Sequence, residues 1–461
     1  MPGNRFSRSK KRNSKPLVFA LSMTLIGSLC VGGVIFFENE KPTIAFENPV
    51  NIIGQESSID IIVSDQKSGI QSIRVLMKQD NLEKEYFTVS NTRRGYGFNA
   101  GPSLEKENIS LNIKDAGFKE GNAQLIVEAT DFSLAAFFKG NTTRFVAEVA
   151  IDITPPKISI LHSAQYISSG GSGLVAYQVS DDAIEHGVQL NDVFYRGYPV
   201  QNGSENMYNA FIALSYDSEN IETAVVMATD EAGNITRNNF VPILKNRKIQ
   251  QDRINVGDTF LKKKLPEIEL RYPELKGDPL EKYLYVNETI RRQNNAIIRQ
   301  YSSTSLEEKL WEGRFLRMPG SLRAGFADHR TYYFQNTAID KQVHLGVDIA
   351  SIKKAEIRAA NRGEVVFAEY LGIYGNLVLL DHGQGVFSLY SHLTQIDVEV
   401  GERVDKDKRL GLSGTTGMSG GDHLHFSMLV NGVFVTPVEW WDSRWLQVTF
   451  EQPLSNIKIK S

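Results

Sequence analysis

Cysteine is almost absent from this chain: one residue in 461, Cys30. It lies inside an apolar run, so the rest of the chain is thiol-free and has no internal disulfide. Its stability must come from packed cores, and a body of over 400 residues can build two or three of them. Lipidation of Cys30 is disfavoured, because Leu29 stands where bacterial lipoproteins want a small residue. A basic excess is missing as well. Without the six basic residues among positions 5–15, 45 Lys+Arg face 54 Asp+Glu, a balance of −9. A body of that charge argues against nucleic-acid binding, which wants a basic face. No His-Glu-x-x-His helix occurs, which excludes the common helical zinc-protease site. No wall-sorting signal or wall-binding repeat occurs either.

Acidic residues are missing from the first 37 positions, whereas Arg5, Arg8, Lys10, Lys11, Arg12 and Lys15 are all basic. Leu17 to Phe37 then gives 21 residues without a charge, enough to span a bilayer core as a helix. A secretory signal has a shorter apolar core and an Ala-x-Ala-like cleavage site. Here the run is followed by Glu38-Asn39-Glu40-Lys41. The expectation is a cytoplasmic tail over 1–16, an uncleaved transmembrane helix over 17–37, and an exported body, periplasmic or extracellular.

Between 41 and 246, short alternating runs such as Ser58-Ile59-Asp60-Ile61-Ile62-Val63 recur, broken by Gly, Asn and Asp. This is the pattern of β-sandwiches. A weak repeat divides the stretch. Pro42-Thr43-Ile44 matches Pro156-Lys157-Ile158, Ser64-Asp65 matches Ser180-Asp181, and Ala129-Thr130-Asp131 matches Ala228-Thr229-Asp230. Two sandwich modules are expected, 41–153 and 154–246, resembling bacterial immunoglobulin-like modules. They read as spacers, with envelope-protein partners as the other use for their surfaces. From 247 to 319 a helical connector is expected. Asp278-Pro279-Leu280-Glu281 is a helix start, with Asp as N-cap, Pro at the first position and Glu at the third. Leu280, Tyr283, Leu284, Ile290, Ile297 and Ile298 then mark a face that must be buried, against the C-terminal sheet or a neighbouring module. A segment so placed could also shield a groove beside it.

Six of the eight histidines fall between 329 and 425. Imidazole nitrogens and a carboxylate are the usual ligands of a catalytic zinc, which keeps a fourth position for water. His344, Asp348 and one histidine of His423-Leu424-His425 supply such a set. Four residues of strand span roughly 13 Å, so His344 and Asp348 converge only if the chain bends between them. Gly346 permits that bend. His423 and His425 share a strand face, roughly 6.6 Å apart, which suits one ligand and one neighbour.

The whole pattern resembles the lysostaphin/LytM-type zinc endopeptidases, which cut peptidoglycan peptides. It consists of His344 to Asp348, then Tyr390-Ser391-His392-Leu393, then His423-Leu424-His425-Phe426. Gly363-Glu364-Val365-Val366, Tyr374-Gly375-Asn376, Asp381-His382-Gly383 and Gly414-Thr415-Thr416-Gly417 lie between in the fitting order. The resemblance covers about Gly320 to Trp445, and a peptidase domain is expected over 320–450. It implies one Zn2+ held by His344, Asp348 and His425, with His392 and His423 flanking the attacking water. His423 is taken as the base and His392 as the oxyanion stabiliser. Many relatives carry Glu where Ser427 stands and Pro where Asp422 stands. The resemblance further implies an antiparallel sheet crossed by a narrow groove with the zinc at its floor.

Other residues read more plainly. His162 and His186 are structural, and His382 is a turn residue. His329 and Tyr390 are candidates for lining the groove. Gly417-Met418-Ser419-Gly420-Gly421 matches a serine-hydrolase elbow, but no helix follows it, so it reads as a loop beside the groove. The fold class is mainly β and multidomain. The function expected is a membrane-anchored zinc metalloendopeptidase acting on peptidoglycan. A catalytically silent regulator of another wall hydrolase, or an envelope binding or adhesion protein, are the other readings.

Overall fold

The computed structural model describes residues 15–36, 38–95, 98–201, 203 and 205–460. Positions 1–14 of the basic tail, and Phe37, lie outside them. The chain is mainly β with several sheets, a helical connector and a β-rich C-terminal part, and it divides into two compact units.

Lys15–Phe36 is one helix, whose side chains are described over residues 17–33. Leu17, Leu21, Leu25 and Leu29 are each more than 60% exposed along it. Among the described residues no helix is long and apolar enough to cross a membrane.

The first unit, 1–155 with 230–234, has a three-stranded and a five-stranded sheet. Their inward faces follow the two-residue period of a strand. Ile59, Ile61 and Val63 come from Glu56–Ser64, and Ile109 and Leu111 from Leu104–Asn112. Across the core, Ile73, Val75 and Met77 come from Ile70–Gln79 and Leu125 and Val127 from Gly121–Asp131. One matched pair of the sequence repeat shares a local geometry. Asp131 ends its strand and is gripped by Asn141, backbone N to Oδ1 at 2.7 Å and Nδ2 to Oδ2 at 2.8 Å. Asp230 ends Ala224–Asp230 and is gripped in the same way by Asn234, at 2.8 and 2.9 Å.

The second unit holds residues 156–229 and 235–461. Its early strands form two four-stranded sheets, one centred on Ser172–Val179 and Met207–Ala213, the other on Ala183–Leu190 and Ala224–Asp230. These strands share one core with the C-terminal part: Phe211 lies 5.6 Å from Trp311 and 5.1 Å from Phe450, ring centre to ring centre. The connector joins the same core. Asp278 caps the helix as its sequence predicts, its carboxylate accepting from the N–H of Leu280 and Glu281. The helix runs on through a π turn, Val286–Ile290, into Arg291–Tyr301. Val286, Ile290 and Ile298 are buried with Phe367 and Leu371 of the C-terminal sheet and Ile373 of the turn that follows.

That sheet has eight antiparallel strands. At its centre Leu424–Val430 runs between Val347–Ala350 and Val386–Leu393. A smaller sheet, Gln251–Asn255, His329–Phe334 and Thr337–Val343, leads into it.

Candidate metal centre

Strand register assembles the site. Asp348 lies directly opposite His425, and His425 directly opposite Ser391. Residues facing each other across antiparallel strands have Cβ atoms about 4.5–5.5 Å apart and share a face, so Asp348 and His425 meet. His344 reaches them because strand Thr337–Val343 ends just before it and the next begins at Val347. The bend passes through Gly346, where an added Cβ would lie 2.6 Å from the imidazole of His425.

His392 arrives by a different device. Asn376 pairs with Leu393 and Val378 with Tyr390, so Ser391 and His392 both oppose Leu377. This is a β-bulge, which re-aims a side chain, and His392 takes a positive φ of 64° there. The bulge breaks the alternation that put Tyr390 beside His392. Tyr390 is 1% exposed and turns into the core, its hydroxyl accepting from the Ala360 N–H. The expectation that Tyr390 lines the groove is therefore corrected.

The donor atoms converge. His344 Nε2 is 2.9 Å from Asp348 Oδ1 and 2.9 Å from His425 Nδ1, and His425 Nδ1 is 3.0 Å from Asp348 Oδ1. Tetrahedral zinc with bonds of about 2.0–2.1 Å holds its ligands about 3.3 Å apart, so the triangle is slightly tighter than a zinc set and a small outward shift of the donors would admit the ion. Backbone carbonyls fix the rings. His344 Nδ1 donates to Gly325 O at 2.8 Å, His392 Nδ1 to Thr416 O at 2.9 Å and His423 Nδ1 to Gly421 O at 2.8 Å. A carbonyl only accepts, so in each neutral ring Nε2 carries the lone pair. His425 is turned round: Nδ1 faces the cluster and Nε2 meets Ser427 Oγ at 3.1 Å. Ser427 thus stands behind a candidate ligand, where such contacts tune metal affinity.

Charge follows the same plan. Burial pushes the Asp348 carboxyl upward, but the surrounding histidines, His344 first, hold it well below its usual range. His425 is pushed down to about 4 by burial, and His392 is lowered by burial and by its histidine neighbours. At His423 burial acts downward, yet the Asp348 carboxylate, 3.5 Å from Nε2, lifts it overall. Arg330, which the sequence reading missed, donates to Asp348 Oδ2 at 2.9 Å and holds the second oxygen of that carboxylate. Its place in an ordinary strand gives no sequence signal.

These groups open into a cavity of about 300 Å³. Met418, Ser419 and Gly420 of the glycine-rich loop line it, as that loop was read. His329 does not; it lies on the smaller sheet, outside this cavity. His382 is fully buried, with Nδ1 on Arg362 O and Nε2 on Ser388 Oγ, a structural role. His186 pairs with Tyr177 far from the cluster.

Residues 342–437 match the model of peptidase family M23. The matched stretch contains all five histidine and aspartate residues of the site. Over 97 residues the chain is 37% identical to the DD-carboxypeptidase/endopeptidase Mpg of Neisseria meningitidis, covering 21% of this chain and 22% of that protein. It is 36% identical over 89 residues to the peptidoglycan DD-endopeptidase ShyA of Vibrio cholerae, covering 19% and 21%. It is 33% identical over 95 residues to the murein hydrolase activator EnvC of Escherichia coli, covering 21% and 23%. The chain thus spans about a fifth of the length of these relatives.

Proposed function

We propose that this protein is a zinc endopeptidase that hydrolyses peptide bonds of peptidoglycan, in stem or cross-bridge peptides. The observation that carries the reading is the triangle of His344, Asp348 and His425 donor atoms, with His392 and His423 beside it. A zinc ion held there supplies Lewis acidity to the scissile carbonyl and to an attacking water. His423 Nε2 takes the proton of that water. His392, whose ring centre is 4.9 Å from that of His423, steadies the developing oxyanion. Arg330 holds the second oxygen of Asp348 and keeps the carboxylate aimed. The relatives named as DD-endopeptidases favour peptidoglycan as the substrate.

The test combines zinc stoichiometry of the purified protein with mass analysis of fragments released from purified peptidoglycan. Zinc at one per chain and new peptide ends, both lost in Asp348→Ala, are expected. A metal-free and inert wild type sinks the reading. The name of EnvC favours one other reading, an activator of another wall hydrolase. That reading predicts no cleavage by the wild type itself.

Placement belongs to the same proposal. Supporting a membrane anchor are the charge-free run Leu17 to Phe37, its exposed leucines and the basic residues before it. The body then lies outside the membrane, with the β-rich first unit as spacer or as a surface for envelope partners. Fractionation of the full chain with membranes, resistant to high salt, checks it.

A further inference from the structure

One wall of the catalytic cavity lies outside the M23 domain. It comes from the helical stretch running from Pro279 through the π turn Val286–Ile290 to Tyr301. Tyr283, Asn287, Arg291 and Asn295 recur at every fourth position, and all four line the cavity that also holds His344, Asp348 and His423. Residues so spaced share a helix face. A π turn is wider than an α turn and keeps this four-residue stripe in line; such turns recur at functional sites.

The stripe is held firmly. Asn294 Oδ1 accepts from the Ile373 N–H at 2.9 Å, and Tyr374 donates its hydroxyl proton to Asn295 Oδ1 at 2.8 Å. Arg291 Nε donates to Asn287 O at 3.0 Å, and a terminal N–H donates to Asn287 Oδ1. A guanidinium has five N–H donors, so three remain. Two arginines and one carboxylate are the charged residues of the lining. Arg330 is matched with Asp348 and Asp252. Among the described residues Arg291 has no carboxylate partner, and the one acid of the lining is a metal ligand. Arg291 is thus the cation of the lining without a direct carboxylate, the nearest acid on its side being Asp340, one residue removed through the NH2 of Asn287.

We propose that Arg291 heads a carboxylate subsite. It pairs with a free carboxylate of a peptide bound with its scissile amide at the metal centre, fork to carboxylate. The side-chain NH2 of Asn295, whose oxygen is taken by Tyr374, offers a further donor to the same group. The ligand class is an acidic peptide, and the enzyme discriminates against amidated forms of it. This rests on the cavity being a peptide-cleaving site, as proposed above.

The test uses the full chain, stripped of zinc so that nothing is consumed. Binding is measured by calorimetry with two short peptides, one with a carboxylate beside the target amide bond and one with that carboxylate amidated. The wild type is expected to bind the acid form at least about 10-fold more tightly, about 1.4 kcal/mol. Arg291→Gln removes the difference, and Arg291→Lys restores part of it. Equal binding of both peptides by the wild type overturns the subsite, as does an equal loss on both in Arg291→Gln. Turnover of peptidoglycan by the zinc-loaded wild type is measured separately. Cleavage without acid preference sinks the subsite alone. Acid preference without cleavage sinks the hydrolase reading alone.

Discussion

Asp348 sits at the crossing of every interaction in the site: two histidines, a third imidazole and Arg330 all meet its two oxygens. Its two oxygens divide the work, Oδ1 toward the cluster and Oδ2 toward Arg330. Replacing Arg330 by Gln leaves a buried carboxylate oxygen without its charged partner. Outer partners of this kind are worth 10–100-fold in metal affinity. Arg330→Gln is therefore expected to weaken zinc binding by about 10-fold or more, read by competition with a chelator of known affinity. Ser427→Ala, which takes one neutral hydrogen bond from His425, weakens it less. That His344, Asp348 and His425 converge, with His392 and His423 beside them, was legible in the sequence because their spacing is chemical shorthand. Arg330 was not, since only strand pairing brings residue 330 to residue 348. Tyr390 was misplaced because a bulge of one residue cannot be read from alternation.

At the scale of elements, the connector helix and the loop at Gly372 form one joint. Gly372 has a positive φ of 40°, and a Cβ there would stand 2.2 Å from Asn294 Oδ1. Gly372→Ala both strains the backbone and displaces the oxygen that accepts from Ile373. A loss of about 2–3 kcal/mol is expected from such a combination, measured by urea unfolding. The helix start at Asp278 and its buried face were legible, because capping chemistry and periodicity are local. Which sheet receives that face was open between two choices, since burial against a partner is a long-range fact. The structure divides it: Ile290 and Ile298 are buried in the core of the C-terminal sheet, whereas Tyr283 and Leu284 pack with Leu261, Leu265 and Tyr332 of the smaller sheet and the helix before it. Removing everything before Ser305 uncovers the surface that Val286, Ile290 and Ile298 cover. Each buried aliphatic side chain is worth about 1.5–3 kcal/mol, so the loss is on the order of 5 kcal/mol, comparable to a whole domain's stability. A fragment starting at Ser305 is expected to unfold at much lower urea than the full chain or to aggregate.

For the molecule as a whole, the second block of strands and the C-terminal part behave as one body, and a half-buried acid lies where they meet. Glu439, on the helix Pro437–Trp441, accepts from the N–H of Ser172 at 3.1 Å. Burial lifts its carboxyl from 4.5 to about 7. A folded value above the unfolded one means that the folded state holds the proton more tightly. The stability this contributes is complete below about pH 4.5 and is lost as pH rises through about 7. Glu439→Gln is expected to flatten thermal stability across that window and to unfold at a higher temperature than the wild type at pH 8. Nothing in the sequence marked Glu439, because a surface-type residue becomes remarkable only once the chain has closed over it. One pair matched in the weak repeat does share a local geometry: Asp131 and Asp230 each end a strand in an asparagine's grip.

Three of the imidazoles in the centre lean on main-chain oxygens, at Gly325, Thr416 and Gly421. Such props belong to the path of the chain and to no side chain in particular. Point substitutions at those three positions leave the props standing, whereas a shift of the loop path removes them. The orientation of the reactive nitrogens is thereby inherited with the loop geometry, and drift in the neighbouring side chains leaves it untouched.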